Sequence, residues 1–245
     1  MAFVKVSAGR ITIGDREWSG DLAGYSANTS VDVYDVTCIA DTAKTFIPGQ
    51  EYGDVGVNGF INQANAGTAN SQWQDLKALR GSSAGVPAMI GFDGFTADDD
   101  VLICAVYETS WADSSAQGGP VTFNLSLSTT GTLDYGKSLF DPTSAQTASV
   151  NGTAVDNASS TANGGIGVLS VVAASGTSPT LDAVVQHSAD NITYTALGTF
   201  TQATGTTSEK VTVAAGTTVN RYLRVAATIG GTAPSFKFAV GFARL

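Results

Sequence analysis

Charge is scarce in this sequence. Only 13% of its 245 residues are Asp, Glu, Lys or Arg, about half the ~25% of an ordinary globular chain. That excludes a coiled coil, and it argues against a charge-driven disordered chain. Histidine occurs once and cysteine twice, so neither a zinc-type ligand spacing nor a disulfide framework is present. Cys38 and Cys104 read as two reduced, buried thiols. No apolar run approaches the ~18 residues that span a bilayer. The first ten residues lack the apolar core of a secretory signal. The expectation is synthesis in a cytoplasm and no membrane partner. Cations number 12 against 21 anions, so the global basic footprint of a nucleic-acid binder is missing.

Catalytic motifs are missing as well. His187 is followed by Ser188 and Asp190, but sequence neighbours at a strand end point in different directions, and no strand–Gly-x-Ser-x-Gly–helix context surrounds them. The acidic run Asp98–Asp100 lacks the central Gly and closing Glu of a calcium loop and reads as a solvated loop. Gly164-Gly165-Ile166-Gly167 opens a strand rather than a helix, so it cannot cradle a phosphate at a helix N-terminus. These absences predict a protein that is no enzyme and needs no cofactor or metal.

What is there is Gly, Ser, Thr, Ala and Asn, with charge unevenly placed. Residues 1–142 hold 17 acidic and 7 basic side chains, a net of −10, whereas residues 143–245 hold 4 and 5, a net of +1. Asp141-Pro142 and a connector of small residues with the single charge Asp156 separate the two. Such a shift predicts two domains, 1–145 and 146–245.

Both halves read as mainly β. Segments 10–13, 29–37, 54–62, 102–107 and 121–127 alternate apolar and polar residues, which places Val31, Val33 and Val36 on a core face and Asp32 and Asp35 outward. One helix is predicted over 71–80, with Trp73, Leu76 and Leu79 on its apolar face and Gly81 at its C-cap. In the second half, strands over 166–173, 180–187, 193–201, 209–213, 221–228 and 235–242 suggest an Ig-like β-sandwich. Ala189-Asp190-Asn191 and Gly230-Gly231 read as its hairpin connections.

Between two alternating strands lies Cys38–Gly53, far longer than the 2–5 residues of a hairpin loop. It carries Phe46, Ile47 and Tyr52, stiffened by Pro48. A loop that meets a partner and a flap folded back over its own core both fit these residues.

Asp35-Val36-Thr37, then Asp41-Thr42-Ala43-Lys44 with Phe46-Ile47-Pro48-Gly49, then Gly53 and Asn58-Gly59-Phe60, resemble the major tail tube proteins of long-tailed bacteriophages over roughly residues 1–140. The second half, with Val185–Asp190, Val219–Arg224 and Phe236–Arg244, is similar to the extra C-terminal β-domains attached to such virion proteins. The resemblance implies an N-terminal β-sandwich or barrel with one helix. It implies a structural role in the virion tail, with hexameric rings stacked into a tube that meets other tail proteins. DNA passes through that tube without specific binding. In this mapping Cys38–Gly53 reaches the next ring, with Phe46, Ile47 and Pro48 as apolar contacts and Asp41, Lys44 and Glu51 as charged ones. A channel lined by carboxylates repels the duplex, whereas each Lys or Arg contact to phosphate adds affinity. Alternation makes Asp32, Asp35 and Asp54 the first candidates to line it, and the near-neutral half would decorate the outside. Two other readings fit the composition: a head decoration or other virion surface protein, and a carbohydrate-binding adhesin module. The latter would use Trp111, Tyr194 and Tyr222 and take host-surface glycans through the C-terminal half.

Overall fold

The computed structural model describes residues 9–61, 77, 79, 80, 82 and 85–245. The chain is mainly β, and among the described residues its sheet does not close into a barrel. The predicted helix lies mostly outside the described residues; of it Lys77 and Leu79 are helical, and Leu79 is buried. Contacts divide the chain into two units. Unit 1 comprises Met1–Gly20, Val86–Ile103 and Asp134–Leu245, and unit 2 comprises Asp21–Gly85 and Cys104–Leu133. This division follows a different line from the charge boundary near residue 145, because residues from both sides of that boundary share unit 1.

Unit 1 is organised by two long strands, β11 (Gly165–Ser188) and β14 (Tyr222–Arg244), paired antiparallel along nearly their whole length. Sequence alternation breaks near Gly176–Pro179 and Gly230–Pro234, and the expectation there was a turn in each strand. The ladder instead continues through these segments, with Thr180 opposite Gly230 and register shifts between Val171 and Thr180. Gly230-Gly231 is therefore not a hairpin connection. It faces the Ser178-Pro179 bend of the partner strand.

Gly176, Ser178, Gly231 and Ala233 all have positive φ there, a conformation that bulges impose and that sharpens bending. The bent ribbon folds over itself: Leu169, Val171, Phe238 and Val240 from one end share a core cluster with Leu181, Val185, Leu223 and Val225 from the other. Strands that switch layers at bulges make the corners of β-sandwiches. β8 (Asp134–Phe140), β12 (Thr195–Thr199) and β13 (Thr207–Val213) extend the layers, and Phe140 stacks on Phe238 with ring centroids 4.4 Å apart. The Ala189–Asn191 turn does connect β11 to β12. The Asp190 carboxylate accepts hydrogen bonds from the Ile192 and Thr193 amides and from the Ser188 hydroxyl.

Unit 2 carries a four-stranded antiparallel sheet in the order β3 (Leu22–Asp35), β4 (Phe46–Phe60), β7 (Val121–Thr129) and the later part of β6 (Asp100–Ser115). Val55, Val57, Phe123, Leu125 and Leu127 are buried on one face. Trp111 lies on that face and stacks on Phe123 with centroids 5.3 Å apart, so it is not a surface platform. Cys104 is buried but Cys38 is exposed, and the two form no disulfide, which corrects the expectation of two buried thiols.

Candidate functional site

Two features of unit 2 stand out, a sheet face and an arm. The arm exists because β4 pairs with β7 only over Asp54–Phe60, whereas its pairing with β3 runs on to Asp35 opposite Phe46. Beyond Gly53 the two strands have no third strand among the described residues. Six residues of β3 in this stretch project roughly 20 Å at ~3.3 Å per residue. The root is fixed at Gly53, whose amide donates to the Thr129 hydroxyl at 2.9 Å. A Cβ on Gly53 would meet Thr129 and Leu133 side chains at 3.0–3.1 Å.

Every residue from Val31 to Tyr52 is exposed, including Val31, Val33 at 62%, Tyr34, Val36, Phe46, Ile47 and Tyr52. Val31, Val33 and Val36 therefore do not face a core. Their alternation is real, but the sheet layer they would pack on ends at Gly53. Nor does Cys38–Gly53 form one long loop. Phe46, Ile47, Pro48 and Glu51 are strand residues of β4, and the connection is only Val36–Thr45. Pro48 concealed this in the sequence, since proline fits strands mainly at edges and bulges. Here it stands opposite Val33, beside a register shift. The flap reading is excluded by the exposure.

Cross-strand partners share a face of a sheet. Val33 with Pro48 and Asp35 with Phe46 belong to the face that continues Val55 and Val57. Tyr34 with Ile47, and Ser30 with Tyr52, belong to the other. Tyr34 lies over Gly49, where a Cβ would come within 2.4 Å of its ring. The arm is thus apolar on both sides.

Its tip is ordered by its own polar groups. The Cys38 amide donates to Asp41 at 2.7 Å and the Thr45 amide to the Thr37 hydroxyl at 3.0 Å. Asp35 accepts from the hydroxyl and amide of Thr37, with Lys44 3.5 Å away. Those Thr37 hydrogen bonds, hydroxyl first, hold the Asp35 carboxyl below its ordinary value, and Lys44 adds a smaller part. Lys44 also stands over the Phe46 ring at 5.9 Å.

The second feature is the sheet face opposite the buried one. It presents Ser26, Asn28, Asp54, Asn58, Asn124 and Ser126 to solvent, and the Ser128 hydroxyl donates to Asp54 at 2.6 Å. Asp32 and Asp54 stand on this face, while Asp35 stands on the other, so the three acidic candidates are not brought together. β3, β4, β7 and residues 104–115 hold six carboxylates and neither Lys nor Arg. The signal for this face was present in the sequence as that missing cation, but only the pairing assigns the small polar residues to one surface. β3 has β4 as its only strand partner among the described residues, so one sheet edge is open.

The chemical candidates in unit 1 are occupied structurally. His187 Nδ1 accepts the Asn220 amide at 3.1 Å, burial lowers the ring's pKa, and Ser188 bonds to Asp190 instead. In the Asp98–Asp100 run, Lys137 pairs with Asp98 at 3.2 Å and Asp100 at 2.9 Å. Tyr194 and Tyr222 each stand beside a guanidinium, of Arg224 and Arg221 respectively.

No family model and no curated protein matches the chain. Among solved structures it is similar to a chain of the virion of a native gene transfer agent particle, at 11% identity and a TM-score of 0.43, covering 54% of this chain and 98% of that one. It is also similar to a chain from the tail of an empty gene transfer agent particle refined with C6 symmetry, at 11% identity and a TM-score of 0.37, covering 47% and 81%. The SPP1 Dit protein, described as a hub of the adsorption apparatus in phages infecting Gram-positive bacteria, is similar over 95% of this chain and 99% of its own, at 11% identity and a TM-score of 0.36.

Proposed function

We propose that this chain is a structural protein of a phage-type virion tail that assembles with copies of itself into stacked, hexameric rings around a channel for DNA. The observation that carries the reading is the pairing, within unit 2, of a sheet face free of cations with a projecting ribbon that is apolar on both sides. An exposed apolar ribbon is costly for an isolated chain and is expected where a partner covers it. Full burial of a side chain such as Phe46 or Ile47 contributes about 1.5–3 kcal/mol. In this reading Phe46, Ile47 and Pro48 contact the next ring, and Asp41, Lys44 and Glu51 set the register by charge.

The polar face suits a channel because it offers a duplex no Lys or Arg with which to release counterions. Asp32 and Asp54 are the carboxylates on that face. Asp35, committed to Thr37 and Lys44, holds the arm tip in shape instead. The open edge of β3 gives a second copy a ladder to continue. Other tail proteins would meet the ends of such a tube.

The test is negative-stain microscopy of the purified chain at high concentration, wild type beside Phe46→Asp. Six-fold rings or hollow tubes from the wild type, and folded but unassembled particles from the variant, are the expected outcome. Tubes that form normally with Phe46→Asp would remove the arm from the interface. Persistent monomers of the wild type would remove the tube.

A further inference from the structure

Unit 1 has a groove where β6 begins and β14 ends, whose chemistry the tail role does not use. Asp100, Lys137 and Phe242 stand directly opposite one another on three adjacent strands, β6, β8 and β14. Residues directly opposite in a sheet share a face, so the three side chains form one row. Arg244 follows Phe242 by two residues on the same side and reaches across to the carbonyls of Asn157 and Ser159. The segment bearing Asn157 and Thr161 thereby becomes the opposite wall. The groove encloses about 260 Å³, just under the ~300–1,000 Å³ of sites for drug-sized ligands.

Its charged side chains are already engaged. Lys137 donates to the Asp98 carbonyl at 2.8 Å and pairs with the carboxylates of Asp98 and Asp100. Arg244 is held by two backbone carbonyls. An ionic ligand would have to break these pairs, so net charge is not what the groove selects. What remains is a mixed set of hydrogen-bonding groups. Asp100 keeps one carboxylate oxygen outside its ion pair, and Asn157 uses only one N–H, toward the Arg221 carbonyl. Tyr135, two residues before Lys137, lines the groove while 72% exposed. A phenol ring beside a cluster of donors and acceptors is the combination that a sugar ring requires, with one apolar C–H face and a rim of hydroxyls.

We infer that this groove binds a single neutral pyranose unit, with the Tyr135 ring against the sugar face and Asp100 and Asn157 on its hydroxyls. The inference does not depend on the tube, since none of these residues belongs to unit 2.

Saturation-transfer NMR on the full chain tests it, with the methyl glycosides of glucose, galactose, mannose and N-acetylglucosamine as probes. At least one is expected to show transfer, weakened about tenfold in affinity by Tyr135→Ala and restored by Tyr135→Phe, which keeps the ring. Tyr135 is exposed, so both variants fold. Absence of transfer from all four probes overturns the inference, as does binding that Tyr135→Ala leaves intact. Transfer lost in Tyr194→Ala but kept in Tyr135→Ala would move the site to the Arg224 stack and overturn it equally.

Discussion

Two long antiparallel ribbons of the molecule, β11 with β14 and β3 with β4, meet opposite fates. β11 and β14 bend at a cluster of positive-φ residues, fold over and bury their own apolar side chains. β3 and β4 shift register once beyond the sheet, between Val31 and Val33, and leave their apolar side chains in solvent. Alternation is present in both, so alternation does not decide burial. The deciding element is a bend that lets one end of a ribbon cover the other. Where it is missing, the apolar side chains stay exposed.

The sharpest way to break this contrast is one apolar truncation in each ribbon. Phe238→Ala removes a fully buried ring stacked on Phe140 and is expected to cost about 3–5 kcal/mol. Val33→Ser, at an exposed position, is expected to stay within about 0.5 kcal/mol of wild type. Denaturant melts of the unassembled protein measure both, and equal losses would mean that the arm is covered in the monomer. The bend itself is next. Gly231 has φ +108°, and a Cβ there would lie 2.6 Å from the Ser178 carbonyl oxygen. Gly231→Ala should therefore cost about 1–3 kcal/mol, and an unchanged melt would show that the fold-over does not need that conformation.

The smallest effect concerns the arm tip alone. The Asp35 carboxyl lies below its ordinary value of 3.8, so its contribution is full above that pH and is lost as pH falls through the lower, folded value. Acidification below about pH 4 should lower the amide protection factors of Thr37 and Thr45, taken relative to intrinsic exchange at each pH, while the core stays protected. Asp35→Asn should show fast exchange at neutral pH. Tip protection factors that do not change with pH would assign the order there to the Cys38–Asp41 turn instead.

Much of this architecture was legible in residue patterns. The strands over 10–13, 54–60 and 121–127 follow from alternation that a real core rewards, as Val55, Val57 and Leu125 demonstrate. The Cys38–Gly53 segment was recognisable as unusual because Phe46, Ile47 and Tyr52 have no polar alternation to tie them to a core. Its strand character was hidden by Pro48-Gly49, which reads as a turn, and Val31 and Val33 look like core residues because period alone cannot tell a covered face from an open one. Gly230-Gly231 misled for a related reason. A bulge and a turn call on the same residues, and only the partner strand, 50 residues away in sequence at Thr180, distinguishes them. The groove was not legible at all, because Asp100, Lys137, Asn157 and Arg244 are widely spaced in the chain and meet only through strand pairing.

The chain's two cysteines are one exposed at the arm tip, Cys38, and one buried in unit 2, Cys104. A thiol reagent applied to the native protein therefore addresses a single position, within the connection at the ribbon's tip. Its reaction rate becomes a clock for occlusion: fast while the tip is bare, slow once anything sits on it. The wild-type chain thus carries its own footprinting label, and the moment of cover can be timed without adding a probe.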